Sequence, residues 1–228
     1  MSRTRTRLEL RTAVRQRADI ENSQHVTDTE INEYLAGSLA AFHALCVEAC
    51  EDDFTKIATF STVSGTTDYS LATYVLEGAF TYYKVRSVHV SSGGLARELD
   101  RWTLDEWSAF QSTILSGGLV GGSPAFYRII GGNIVLMPAP QGVWTVRVYF
   151  VPSPVDLSDD TKSFDGRSGW EEWVVLDSAI KCMRKEETDT REMVAEREKV
   201  EARVLAQVRR MDQAKPHRVQ QTRPREVW

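Results

Sequence analysis

The residues best suited to chemistry in this sequence fall at a few spacings. His43, Cys46 and Cys50 are three and four residues apart. On a helix they would share one face, and a fourth ligand from Cys182 or His25 would complete a tetrahedral zinc site. The same spacing fits small thiols filling a seam between packed helices, the common use of free cysteine. The segment has no CxxC knuckle, so no metal ligand is assigned. Three acidic pairs, Asp52/Asp53, Asp159/Asp160 and Glu171/Glu172, could serve as the acid and base of glycoside hydrolysis. Each falls at a turn or an expected helix end, where carboxylates are solvated or complement the helix dipole. Asp177 differs because its neighbours are apolar. Burial raises a carboxyl pKa unless a cation or donor answers it, so a structural hydrogen bond or a pair with an arginine of the first helix is expected. The chain has four histidines and no GxSxG, P-loop or HExxH motif. No glycine-rich segment opens a helix after a strand, as phosphate binding requires. The expectation is a protein that is not an enzyme, with no catalytic residue, cofactor or metal.

Charge is concentrated at the ends. Arg3, Arg5, Arg7, Arg11, Arg15 and Arg17 face only Glu9 in the first 17 residues. That exceeds what a solvated helix face needs, and arginine binds phosphates and carboxylates bidentately. The excess reads either as solvated charge or as a partner contact. The other end, DQAKPHRVQQTRPREVW, has two prolines and no hydrophobic period, and finishes in Val227-Trp228. Such a segment orders most naturally on a partner. The candidate partner-binding residues are Arg3, Arg5 and Arg7 together with Lys215, Pro216, His217, Arg218, Val219, Arg223, Arg225 and Trp228.

The elements that would position these residues follow from hydrophobic period and capping. Leu10, Val14 and Ala18 place a helix from about Thr6 to Ile20. Thr27-Asp28-Thr29-Glu30 is a capping box, followed by an apolar face of Ile31, Tyr34, Leu35, Leu39, Phe42, Leu45, Cys46 and Ala49 at helical spacing. From about Lys56 to Val151 the texture is that of strands. Ser92-Gly93-Gly94 and Gly131-Gly132-Asn133 read as hairpin turns, and Pro138–Gly142 as a longer one. A short helix capped by Thr103, with Trp107, Phe110 and Ile114 on its apolar face, interrupts this region. A loop through Gly117, Gly118, Gly121 and Gly122 follows. Helix resumes at Trp170, apolar nearly all round and therefore buried. Asp189 with Glu192 reads as a capping pair for a last helix carrying Met193, Val200, Val204, Val208 and Met211.

The chain has 228 residues and a net charge of -4, with 42% apolar residues, enough for one large domain or two small ones. No run approaches the roughly 20 apolar residues of a membrane span. No signal-peptide stretch follows the first arginines, and three cysteines fit a reducing compartment. The expected class is α+β. Residues 1–54 and 156–211 would form one helical bundle, 55–155 an inserted antiparallel β-sandwich or barrel-like domain, and 212–228 an extended C-terminal arm.

Several blocks resemble the head-to-tail adaptor (connector, or head-completion) proteins of tailed bacteriophages, in the same order and over nearly the whole chain. They are Leu8–Arg11 with Val14–Asp19 and Glu21–Ser23, Val26–Asp28 with Glu30–Asn32, Asp68–Leu71, Met137–Pro140 and Val148–Pro152. The most specific run is Phe164–Gly166 with Gly169–Val175, continuing through Asp177–Cys182 and Lys185–Glu187. The resemblance implies a virion structural protein made in the host cytoplasm. It implies a homo-oligomeric ring, commonly of twelve copies, that joins the portal protein to tail or nozzle proteins around a DNA channel, without membrane contact. An acidic net charge suits a DNA conduit. The alternatives are a virion-associated peptidoglycan hydrolase and a cytoplasmic ligand-binding module.

Overall fold

The computed structural model describes residues 5–74, 82–92, 94–103, 106, 122–164, 166–167 and 169–211. Its helices are α1 (Arg7–Arg17), α2 (Asp28–Ala49), the single turn α3 (Leu71–Tyr74), α4 (Glu171–Lys185) and α5 (Arg191–Met211). Both helices of the N-terminal part start on reciprocal caps. Glu9 N–H donates to Thr6 Oγ1 and Thr6 N–H to Glu9 Oε2, a box not foreseen at that position. The Thr27/Glu30 box forms as expected, with Glu30 N–H donating to Thr27 Oγ1 at 3.3 Å. The α1 helix stops short of Ile20, because Ala18 caps it and Asp19 turns the chain at φ 54°.

The hydrophobic faces close on one another. Ile31, Leu35, Leu39, Phe42 and Cys46 of α2 are buried, as are Leu10 and Val14 of α1 and Val200, Val204 and Val208 of α5. All of them pack around α4, ten of whose fifteen residues are buried. Phe42 anchors an aromatic cluster, its ring centroid 5.4 Å from Trp173, 6.0 Å from Trp170 and 6.2 Å from Phe164. The start of α4 explains one of the family-like blocks. Gly169 sits at φ 93°, which favours glycine. The buried Glu171 accepts its N–H at 2.6 Å, and Trp170 then turns into the core.

Asp177 is answered, but not by α1. Ser38 Oγ of α2 donates to it at 2.8 Å, Arg197 of α5 at 2.8 Å, and Lys181 Nζ lies 2.9 Å away. The expected arginine partner therefore comes from the last helix, one turn of which passes directly over Asp177. Burial pushes the carboxyl pKa up, but the bonds from Lys181, Ser38 and Arg197 outweigh it and hold the group below its ordinary value. Lys181 Nζ and Ser178 Oγ also donate to Ser38, at 2.8 and 3.0 Å. The start of α5 corrects a second expectation. Asp189 Oδ1 accepts the Arg191 N–H at 3.0 Å and its carboxylate also grips the Arg191 guanidinium, so Asp189 works with Arg191 rather than with Glu192.

Between α2 and α4 the chain forms two four-stranded sheets. One has the order β1 (Lys56–Ser61), β8 (Thr145–Pro152), β3 (Tyr82–Ser92), β4 (Leu95–Glu98). The other has the order β2 (Asp68–Ser70), β7 (Asn133–Met137), β6 (Phe126–Ile130), β5 (Asp100–Arg101). Their inner faces share a core of Phe60, Val88, Val146, Val148 and Phe150 against Tyr69, Tyr127, Ile134 and Leu136, which makes a sandwich. The sheets are antiparallel except at β5, which pairs with β6 in parallel. Gly131 and Gly132, at φ 57° and 83°, make the β6–β7 hairpin turn. Thr103 and Glu106 form a reciprocal cap where the short helix was expected. Trp107, Phe110, Ile114, Gly117, Gly118 and Gly121 lie outside the described residues.

The sandwich core and the bundle core are separate. They meet at the short 3-10 turn Asp52–Phe54 after α2. There Glu51 pairs with Lys84 at 3.0 Å and with Arg86 at 3.3 Å, and Asp52 also pairs with Arg86. His43 packs edge-on to Phe54 and Tyr83.

Replacing Asp177 with Ala should lower stability by about 2–3 kcal/mol, because two cations lose their acceptor inside the bundle. Urea unfolding should show a lower midpoint with an unchanged slope. The acid limb has a defined sign. Glu30 is held at a pKa of about 2, chiefly by Lys185 at 2.5 Å and the Thr27 N–H, and Asp177 is also depressed. Both groups stabilise the fold above their unfolded values near pH 4. That stabilisation should disappear as pH falls from about 4.5 toward 2, and Glu30→Gln should make thermal stability vary less with pH over that window.

Candidate functional site: the arginine clasp and the domain junction

Arg7, Arg11 and Arg15 recur every four residues on α1 and so share a face. Arg7 donates to Asp160 Oδ1 at 2.8 Å and to the carbonyls of Leu157 and Ser158. Arg11 grips both oxygens of Asp160 at 3.1 and 3.0 Å and reaches Asn32. Arg15 bonds Asp28 at 2.7 Å and the carbonyls of Ile20, Ser23 and Val26. The ladder thus clamps the connector between sandwich and bundle on one side and the loop before α2 on the other. Hydrogen bonds from Arg11 and Arg7 hold Asp160 below the usual carboxylate range. The backbone adds a strap: Arg7 N–H donates to Lys162 O at 2.8 Å and Phe164 N–H to Arg5 O at 2.9 Å.

The N-terminal arginines therefore also make intrachain ion pairs, which the sequence reading did not include. Arg5 lies 3.7 Å from Glu171, and Arg17 pairs with Glu172 and with Glu196. Helix α1 starts at Arg7, whose guanidinium bonds the chain's own connector. Arg3 lies outside the described residues. So do Lys215, Pro216, His217, Arg218, Val219, Arg223, Arg225 and Trp228. The internal ladder was detectable in principle from the four-residue spacing of Arg7, Arg11 and Arg15; Arg15 finds its acceptors within 13 residues, but Asp160, which Arg7 and Arg11 share, is about 150 residues away in sequence.

The acidic pairs are also occupied. Asp159 accepts from Thr161 and Lys162, Asp160 from the clasp, Asp52 from Arg86, and Asp53 lies 3.9 Å from Arg167. Among the described residues no group of three or more His, Cys, Asp or Glu side chains is placed to hold a metal ion. Cys46 and Cys182 are buried thiols in the bundle core. Burial pushes Cys46 up to about 12 and Cys182 to about 11. The side of α2 that carries His43 and Cys46 instead borders a cleft of about 340 Å³ at the junction, shared with Phe54, Pro152, Phe164 and Trp170.

A family model described as SU10 adaptor protein matches residues 5–223. The chain belongs to the SU10 adaptor protein family. This is a family of phage head-to-tail adaptors, so the protein is a structural component of a phage virion that associates with other virion proteins. No curated protein matches the chain. The match spans clasp, bundle and sandwich alike, so the adaptor's connector and its Gly169-Trp170-Glu171 helix start fall within the family's extent. No helix among the adaptor's described residues is long and apolar enough to cross a membrane.

Asp160→Ala should loosen the connector without unfolding the adaptor. Amide exchange at residues 157–164 should accelerate roughly tenfold or more while the β3–β8 ladder stays protected. Iodoacetamide at pH 8 should leave Cys46 and Cys182 unmodified in native protein and label both in urea, because a neutral buried thiol is a poor nucleophile.

Proposed function

We propose that this adaptor forms a ring of twelve copies that joins the portal protein to the tail or nozzle proteins and encloses the channel through which DNA passes. The observation that carries the reading is the family match from residue 5 to 223, which takes in the bundle, the sandwich and most of the C-terminal segment. Residues 1–54 with 156–211 act as the bundle, 55–155 as the inserted domain and 212–228 as the arm. Ring closure needs the same heterologous contact repeated between neighbours. A rigid bundle clamped by its own arginines is a suitable repeating unit, because its subunit shape is set before assembly.

Recognition of the portal falls to the arm, through Lys215, Pro216, His217, Arg218, Val219, Arg223, Arg225 and Trp228, with Arg3, Arg5 and Arg7 as the N-terminal candidates. Extended, these 17 residues span roughly 55 Å. The 21 residues of α5 rise only about 30 Å. The arm is therefore long enough to pass the full length of the bundle in either direction. The proposed work of the protein is binding and positioning, and each step of it is a protein–protein contact or the passage of DNA.

Native mass spectrometry of the purified chain, alone and with portal, tests the reading. A closed ring of twelve 25.8 kDa chains, forming alone or on adding portal, is the expected result. A chain that remains monomeric in both would overturn it. Removing residues 212–228 should leave the unfolding midpoint nearly unchanged and abolish capture by the portal. Loss of the cooperative transition would instead make the segment part of the core.

A further inference from the structure

A surface helix ordinarily turns a charged and polar side to water. The α2 helix does not. Its 22 residues include no lysine or arginine, and the side turned away from the bundle is mostly bare of side chain, with Ala36, Gly37, Ala40 and Ala41 exposed. Glu33 and Glu48 bracket this face, Glu33 four residues before Gly37 and Glu48 four after Ala44, which puts them on the same stripe. Both are exposed, and among the described residues neither carboxylate has a hydrogen-bond or ion-pair partner. A cation does come near: Lys181 Nζ lies 3.8 Å from where a Cβ on Gly37 would stand, but it is committed to Asp177 at 2.9 Å.

The outer side of α5 has the opposite charge. Across the helix from the buried Val200, Val204 and Val208, the residues Ala195, Ala202 and Ala206 are exposed. Lys199, Arg203 and Arg210 follow one another along this side at spacings of four and seven, exposed and without a side-chain partner among the described residues. The single acidic residue between Lys199 and Met211 is Glu201, which is turned inward and accepts from Trp173 Nε1 at 3.0 Å. Both faces are shallow, and small residues let helix axes approach to about 8 Å, the short end of helix packing distances. Both helices bury their other sides in the core around α4. The two faces therefore look away from that core, and they cannot meet within one chain.

We propose that the outer face of α2 in one copy packs on the outer face of α5 in the next, pairing Glu33 and Glu48 with Lys199, Arg203 and Arg210. The inference rests on the ring reading above and names the contact that closes the ring. At 1.5 Å per residue the charges span roughly 22 Å on α2 and roughly 16 Å on α5, a difference that the long lysine and arginine side chains cover. Two different patches meet, so the contact is heterologous and repeats from copy to copy, as a ring requires. Charge also selects against the wrong pairings. An α2–α2 contact would set carboxylates against each other, and an α5–α5 contact would do the same with cations.

The test follows assembly of the full-length chain by native mass spectrometry, alone and with portal. Glu33→Lys with Glu48→Lys makes both faces basic; Lys199→Glu with Arg203→Glu and Arg210→Glu makes both acidic. Neither variant should assemble by itself, the concentration for half-assembly rising about tenfold or more. An equimolar mixture, with one variant isotopically labelled, should recover rings holding the two chains in equal numbers, because every contact again joins opposite charges. Each variant should keep the parent's urea midpoint, since the altered residues are exposed and unpaired. Rings from either variant alone at the parent's concentration, or a mixture that does not recover them, would overturn this contact and leave the ring itself standing. A parent chain that stays monomeric alone and with portal would overturn the contact together with the ring.

Discussion

Asp177 sets the geometry of the bundle. It lies in a helix whose other faces are committed to apolar contact, and a carboxylate there is tolerable only where donors reach it. The donors come from α2, from α4 itself and from α5. Sliding α5 along α4 by one turn would leave both Asp177 and Arg197 unanswered in low dielectric, so the pair specifies register in addition to whatever stability it contributes. Register in turn decides that Gln207 reaches Trp170, and hence where the chain leaves the bundle.

A second set of charges governs the connection between the two cores. The sandwich enters and leaves the bundle through Asp52–Phe54 and the connector before α4, and both passages are held by polar contacts. Arg7 and Arg11 fix Asp160 on the outgoing side, and Lys84 and Arg86 meet Glu51 and Asp52 on the incoming side. The cores do not merge, so the relative placement of the domains depends on ion pairs that salt weakens. Asp52, Asp53 and Asp160, which looked available for acid–base chemistry, lie in ion pairs at the junction.

What could be read from the sequence was mainly local. Caps at Thr27, stripes such as Ile31-Leu35-Leu39-Phe42-Cys46, the Gly131-Gly132 turn and the all-round burial of α4 depend on residues within a few positions of each other, and each is in the structure. The long-range partners were not legible. The arginine for Asp177 comes from Arg197 rather than from α1, because nothing in either segment encodes which helix lies on top. The surplus of N-terminal arginines looked like exposed charge because Asp160 is some 150 residues away. The parallel β5–β6 pair also depends on a crossover that local alternation cannot report. The block from Gly169 to Val175 was informative because a left-handed glycine, a buried carboxylate and a core tryptophan occur together there.

The order of the segments also bears on synthesis. The apolar faces of α1 and α2 leave the ribosome first, but the helix they cover begins only at Glu171. At ordinary elongation rates of about 5–20 residues per second, roughly 6–25 s separate the end of α2 from the start of α4. During that interval the sandwich, whose eight described strands all lie between α2 and α4, can complete its own core while the bundle stays open. A chain terminated before Lys185 would carry a finished sandwich and a sticky, unclosed half-bundle. Translation to near the C-terminus thus acts as a licence for building the rest of the particle, since only then does a subunit have a fixed shape to offer its neighbours.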